Sequence, residues 1–409
     1  MRSFQTGLVY VDKEKAFPTN INFSSLDGNT HLVGFDGQER HRWNYLGLPG
    51  NIIDPNLING KKGHVLLQKK MDPNEGPGIF NNITVGEFNW DGDCVWEWGE
   101  EAPLGAARQN HDWQRLANGN TLLLVTEPVI VKDLCDSEIG DQGIYEVSPD
   151  GKIVWSWMAR DHFHEFGFSP EGVSYLKHLL SNNDRDSWGY LEINHMQTLG
   201  ENKWYRAGHT AFHPDNIILD SRKGNFIIII DKQSGKVVWR IGPYQDQPYS
   251  NADRRLVTRH LPRKVDQLAG QHHAHMIPEG LPGAGHILML DDQGGGGYPP
   301  VPLGVYAGSR VLEIDPITHD IVWQYTAEDS GLPVWTFFTS FVGSVQRLPN
   351  GNTLINEGMN GRIFQVTMSG EIVWEYINPF PGVFPFEDKL MTNPMVYRAQ
   401  AVPDSWLPG

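Results

Sequence analysis

Cysteine is nearly absent from this chain: two residues in 409, Cys94 and Cys135. Two thiols cannot form a disulfide framework; they suit a reducing compartment, with a single bridge left open. Basic residues are also short, 33 Lys+Arg against 49 Asp+Glu, for a net charge of −16. A surface of that sign repels phosphate backbones and anionic headgroups, which sets aside nucleic acid and membrane as main partners. No uninterrupted apolar run reaches the roughly 18 residues that a membrane-spanning helix needs. The opening stretch, MRSFQTGLVYVDKEKAF, has no apolar segment ahead of its charged cluster. It does not read as a secretory signal, and the expected location is cytoplasmic. Glycine (44), proline (27) and tryptophan (14) are plentiful instead. Abundant turn formers and large aromatic residues favour one large β architecture over several small domains.

The strongest pattern is an internal repeat. Its clearest copy runs from Ser344 to Tyr376: SVQRL, a Pro-Asn-Gly-Asn turn, NTLINE, GRIFQVT, and EIVWEY after Ser-Gly. Short alternating segments between such turns read as four antiparallel strands. The plan recurs at His111–Trp157, Asn194–Gly242 and His272–Tyr325, with two fainter leading copies ending in ERHRWNY and WDGDCVWEW. Each copy closes on a tryptophan: Trp43, Trp96, Trp155, Trp239, Trp323 and Trp374. Six such units predict an all-β, six-bladed propeller of four-stranded blades in one domain over residues 1–409. The tryptophans are expected to pack blade against blade. Insertions at about 159–190 and 242–270, and the glycine run Gly294–Gly297, should gather on one face, where insertions cap a central site. EGVSYLKHLL in the first insertion reads as a short helix. The glycine run lacks the Gly-Lys-Ser/Thr ending of a phosphate loop and is read as plain loop.

The histidines fall into register. Aligned on the apolar residue before the turn (Leu116, Ile277, Leu348), His111 and His272 both stand five residues earlier, at the start of the innermost strand. His195 is one place out, with Asn194 on the shared column, as a one-residue bulge would produce. The last repeat has Gly343 there. The fold therefore does not itself require histidine at this point. In the second strand a companion column holds Glu127, Arg222 and Asp292. Imidazoles and mixed charge from separate blades should meet at one end of the channel.

NHDWQRLANGNTLLL, INHMQTL with its downstream IILDSR, GQHHAHMIPEGLPGAGHILML and GSVQRLPNGNTLINEGMNGRIFQVT together resemble the arylsulfotransferase family of six-bladed propellers. The resemblance covers about Thr84 to Pro403 and is to a divergent branch, with neither signal peptide nor N-terminal β-sandwich in view. It implies transfer of sulfuryl groups between phenols without a nucleotide donor. On the matching positions it makes His272, after Gln271, the sulfuryl acceptor, with His111 and His195 in support and Arg222 as the cation.

Sulfuryl transfer spreads charge over three oxygens, so positioning and electrostatics dominate, as in phosphoryl transfer. A neutral imidazole can hold the group covalently. Arg222 offers a forked, permanent charge. His111 or His195 can donate to an oxygen or protonate the departing phenolate. Trp113, Trp204, Tyr205 and Trp335, with Gln271, are the expected substrate walls for a small aromatic or anionic molecule. This route needs no cofactor. A second reading makes the imidazoles ligands of a divalent ion, zinc, manganese or calcium, in a lyase or hydrolase: His111, His195 and His272 or His275, with Glu127 or Asp292 behind them.

Overall fold

In the computed structural model, residues 5–71, 82–181, 189–245, 260–301, 308–386 and 389–409 are described below. Strand accounts for 42% of the chain and helix for 12%, arranged as six antiparallel blades. Blades 2 to 6 are meanders whose first strand lies innermost. Those inner strands are Asn51–Ile52, Gln109–Arg115, Ile193–Thr198, His272–Met276 and Gly343–Arg347.

Blade 1 is assembled differently. Its three outer strands, Asn20–Ser25, Thr30–Val33 and Glu39–Trp43, come from the start of the chain. Its inner strand, Val396–Val402, comes from the end and pairs antiparallel with Asn20–Ser25. Conversely, Gly7–Val11 crosses to blade 6 and pairs as a fifth strand outside Ile372–Ile377. The two ends are thus exchanged, which closes the ring and covers an edge that would otherwise invite pairing. The repeat pattern alone did not show this exchange.

Packing between blades explains the apolar runs. FIIII, Phe226–Ile230, is buried along its whole length. Phe226, Ile228 and Ile230 turn toward blade 3 and its Leu122 and Leu124, while Ile227 and Ile229 turn toward blade 5 and its Met276 and Met289. A strand clothed on both faces has no need of polar alternation.

The six repeat tryptophans do more than pack. Each indole Nε1 donates to a backbone carbonyl in the next blade: Trp43 to Asn89 (3.0 Å), Trp96 to Pro149 (3.2 Å), Trp155 to Lys232 (3.0 Å), Trp239 to Pro316 (2.7 Å), Trp323 to Met368 (2.9 Å) and Trp374 to Phe35 (3.0 Å). The last of these joins blade 6 to blade 1. Trp239→Phe, which loses the donor and keeps the ring, should cost about 1 kcal/mol. Trp374→Ala, which empties a fully buried site, should cost about 3–5 kcal/mol. Equilibrium urea unfolding measures both, and equal losses for the two variants would contradict the assignment.

Each meander returns to one face before the next inner strand begins. The insertions of residues 159–190, 242–270 and the loop after Ile287–Asp291 therefore share that face, called upper here. Within them Pro170–Ser181 is helical and buries Leu176 and Leu180. Part of each insertion lies outside the described residues.

Candidate functional site

The inner strands that carry histidine are irregular where it stands. Register shifts interrupt the pairing of blade 3 between Gln109 and Trp113, of blade 4 between Ile193 and His195, and of blade 5 between His272 and His275. The blade 5 bulge sets His272 opposite Leu290, the rung at which His195 faces Asp220 in blade 4. Blade 6, with no histidine there, pairs without a shift. His111 and His273 adopt left-handed φ values of +60° and +57°. Bulged and left-handed backbone in otherwise regular strands is characteristic of functional sites.

Side chains from the inner strands also lace neighbouring blades together. Asp112 Oδ2 accepts the Met196 N–H (3.1 Å), Ser344 Oγ accepts the Ala399 N–H (3.1 Å), and His273 Nδ1 lies 2.8 Å from the Val345 carbonyl. Counted back from the turn, His195 holds the corresponding place in blade 4. There the lacing bond is made instead by Asp220, from the second strand, whose Oδ2 accepts the Ala274 N–H (2.8 Å). His195 is thereby relieved of that lacing bond.

Its own surroundings are those of an oriented imidazole. His195 Nδ1 lies 2.5 Å from Asp112 Oδ2. Asp112 is fixed in turn by Arg398 Nη1 (2.8 Å) and the Trp113 N–H (2.9 Å). Nε2 of His195 is buried, and the side chain of Gln197 interacts with the ring. Burial holds the His195 pKa below the ordinary imidazole range despite the opposing pull of Asp112. Burial alone would raise Asp112, but Arg398 and His195 more than offset it, so this carboxyl stays below its usual value. A neutral imidazole oriented by a neighbouring carboxylate can serve as a nucleophile or a base.

His195 is one of the residues that line a cavity of about 290 Å³. Asp112, His195, His273, His275 and Arg398 form its inner end; Trp113, Leu57, Leu281 and Trp406 line it further out. Gln114, Gln197, Gln346 and Gln400, near the ends of their inner strands, also line it, which places its mouth on the lower face, opposite the insertions. Burial pushes His275 down to about 3 and His273 well below the ordinary value, so both rings are neutral there.

The other expected site residues occupy an upper level. His272 Nδ1 is 2.6 Å from Asp292 Oδ2, and its Nε2 faces the Val342 N–H at 3.3 Å. Burial and then Arg222 push His272 down to about 3. Arg222 pairs with Glu192 at 3.1 Å and lies over the Phe341 ring. His111 is buried beside Asn110 and the Tyr397 ring. Neither His272, His111 nor Arg222 lines the cavity described. Gln271 bridges blades by donating to the Ser221 and Phe226 carbonyls, both at 3.0 Å. Of the expected aromatic walls only Trp113 lines the cavity. Trp204 donates to the Gly285 carbonyl (2.6 Å), while Tyr205 and Trp335 are exposed, at 37% and 61%.

Glu127, Arg222 and Asp292 do not form one ring. Glu127 accepts from the Tyr145 hydroxyl and faces Arg160, beside a buried Asp141 that takes Arg160 Nη1 at 3.0 Å and the Tyr190 hydroxyl at 3.2 Å. Burial pushes Asp141 up to about 6. The native state then holds a proton that an unfolded Asp, near 3.9, has released. Stability should fall as pH rises from about 4 to 6, by about 3 kcal/mol from this group, and level off above. Asp141→Asn should flatten that slope in urea titrations run across the window; an unchanged slope would contradict it.

Sequence reasoning missed Asp112, Asp220, Glu192, His273 and Arg398 as a set. A carboxylate within the apolar strand IILDS was the available signal. Among the described residues, no three His, Cys, Asp or Glu side chains are grouped to hold a metal ion, and Cys94 and Cys135 are unbridged. No helix among them is long and apolar enough to cross a membrane.

Comparison with known proteins gives one strong result and several faint ones. No curated protein matches the chain. A Bacteroides caccae protein of unknown function is similar over 94% of this chain and 99% of its own, at 12% identity and TM-score 0.49. Virginiamycin B lyase from Staphylococcus aureus covers 97% and 98% at 11% identity and TM-score 0.40. A putative 6-phosphogluconolactonase from Bacteroides fragilis covers 96% and 99% at 8% identity and TM-score 0.39. The family model for arylsulfotransferase (ASST), by contrast, matches residues 6–378, nearly the whole chain, and the chain belongs to that family.

Proposed function

We propose that this protein transfers a sulfuryl group between phenols through a covalent intermediate on His195. The observation that carries the reading is the Asp112–His195 pair, a neutral imidazole held beside a carboxylate at a cavity that both residues line. His272, the acceptor expected from the family resemblance, has Asp292 at one nitrogen and a backbone N–H at the other. With both ring nitrogens engaged and no place in the cavity lining, it is less suited to attack than His195.

In the first half-reaction Nε2 attacks the sulfur of an aryl sulfate in line with the ester oxygen. An N–S bond forms, the S–O(aryl) bond breaks, and the phenolate leaves and takes a proton from solvent at the cavity mouth. Positive charge developing on the imidazole is balanced by Asp112, which keeps the Nδ1 proton in place, the role of the carboxylate in a catalytic triad. In the second half-reaction a phenol oxygen attacks sulfur, the N–S bond breaks, the phenol proton is lost to solvent, and neutral His195 returns.

Two half-reactions at one nitrogen demand ping-pong kinetics. With 4-nitrophenyl sulfate as donor and a second phenol as acceptor, double-reciprocal plots should give parallel lines. Converging lines would contradict the covalent route. The metal reading of the same imidazoles finds no grouped ligand set among the described residues, and no observation favours it.

A further inference from the structure

The family match ends at residue 378, and the strand Val396–Val402 lies beyond it. It is nevertheless the innermost strand of blade 1, so its side chains reach the channel. Arg398, on that strand, is only 7% exposed. Its Nη1 donates to Asp112 and its Nη2 to the Asn194 carbonyl (3.0 Å), but its Nε–H is buried and has no partner. Leaving a buried charged donor unsatisfied costs about 1–3 kcal/mol or more, so such a group in a native fold calls for an explanation. Arg398 and the neutral imidazole of His195 line the same cavity.

An unmade cationic donor with a neutral imidazole beside the same cavity is complementary to a group that is electrophilic at its centre and anionic at its rim. A sulfuryl group has that form. We propose that Arg398 binds the sulfuryl oxygens of the donor, that the aryl ring lies against Trp113, Leu57, Leu281 and Trp406, and that substrate enters through the lower face. This rests on the transferase reading and deepens it. Arg222, the cation implied by the family resemblance, faces Glu192 on the upper level and does not line this cavity. Trp406 follows the same closing strand, and its carbonyl accepts the Gly63 N–H at 2.8 Å. The segment beyond the family match would then supply both the anion-binding group and part of the aryl wall.

The probe is 4-toluenesulfonate, whose C–S bond cannot be transferred, with inorganic sulfate for comparison, both titrated calorimetrically into the full chain. Wild type should bind one equivalent of sulfonate. Arg398→Lys keeps a charge but loses the fork, and should bind both anions about tenfold more weakly. Trp406→Ala should weaken the sulfonate and leave sulfate unchanged. Leu281→Trp, which fills the outer cavity, tests the site should Arg398→Lys not fold. No sulfonate binding by wild type, wild-type binding by folded Arg398→Lys or by Leu281→Trp, or a loss confined to Arg222→Lys would overturn the proposal. Binding that follows the expected pattern without any adduct on His195 would keep this site and remove the transferase reading. An adduct that forms as fast in Arg398→Lys as in wild type would do the reverse.

Discussion

Replacing His195 by alanine is expected to lower sulfuryl transfer by on the order of 10³-fold or more, because the atom that carries the group is gone. The fold should survive. The lacing bond to the next blade is made here by Asp220 rather than by the imidazole, and Asp112, which loses its contact with the ring, is still held by Arg398 and by the Met196 and Trp113 N–H groups. Asp112→Asn should follow with a loss of about 10²–10⁴-fold, as removal of the orienting carboxylate does in triads. It should also destabilise the protein, since Arg398 would be left as a buried charge without its counter-ion, a change typically costing about 3–5 kcal/mol. The two variants therefore separate chemistry from structure: one inactive and stable, the other inactive and weakened. Circular dichroism with thermal unfolding reads the second property, and an inactive but unfolded His195→Ala would break the distinction.

Ending the chain before Val396 should have the largest structural effect. Without Val396–Val402, blade 1 loses its inner strand and Asn20–Ser25 becomes an open edge on the channel. Val396, Ala399 and Ala401 also leave the cluster that holds Phe23, Trp374 and Tyr376 between blades 6 and 1. Gln400, whose Oε1 accepts the Ile52 N–H (2.8 Å), and Gln346, whose Oε1 accepts the Ala401 N–H (2.9 Å), lose the bonds that tie blade 1 to both neighbours. The truncated chain should lose its cooperative urea transition altogether. A sharp transition at an unchanged midpoint would show that the ring closes without this strand.

Blade number and blade packing were legible in the sequence because both depend on local, repeated signals. A tryptophan at the end of each repeat meets the same carbonyl-bearing turn of the next blade six times over, and such regularity is visible without coordinates. The exchange of chain ends was not legible, because MVYRAQAV carries no repeat around it and its partner strand lies some 380 positions away. The histidine columns were partly legible. The one-place offset of His195 reads as a bulge, and bulges do occur in all three histidine-bearing inner strands. What a bulge does to the direction of each ring was not available from spacing. Successive strand residues point to opposite sides, and a left-handed residue such as His273 resets that alternation. Spacing therefore placed His111, His195 and His272 on innermost strands while leaving open which of them faces a cavity. Asp112 and Arg398 escaped notice for a related reason: they matter through each other and through His195, and they are 286 residues apart.

Which nitrogen receives the sulfuryl group decides the mechanism. Wild-type protein mixed with excess 4-nitrophenyl sulfate, without acceptor phenol and quenched at alkaline pH to spare the acid-labile N–S bond, should gain the mass of one sulfuryl group. Peptide mapping should place it on His195, and addition of a phenol should remove it. No adduct, or an adduct mapped to His272, would contradict the mechanism proposed.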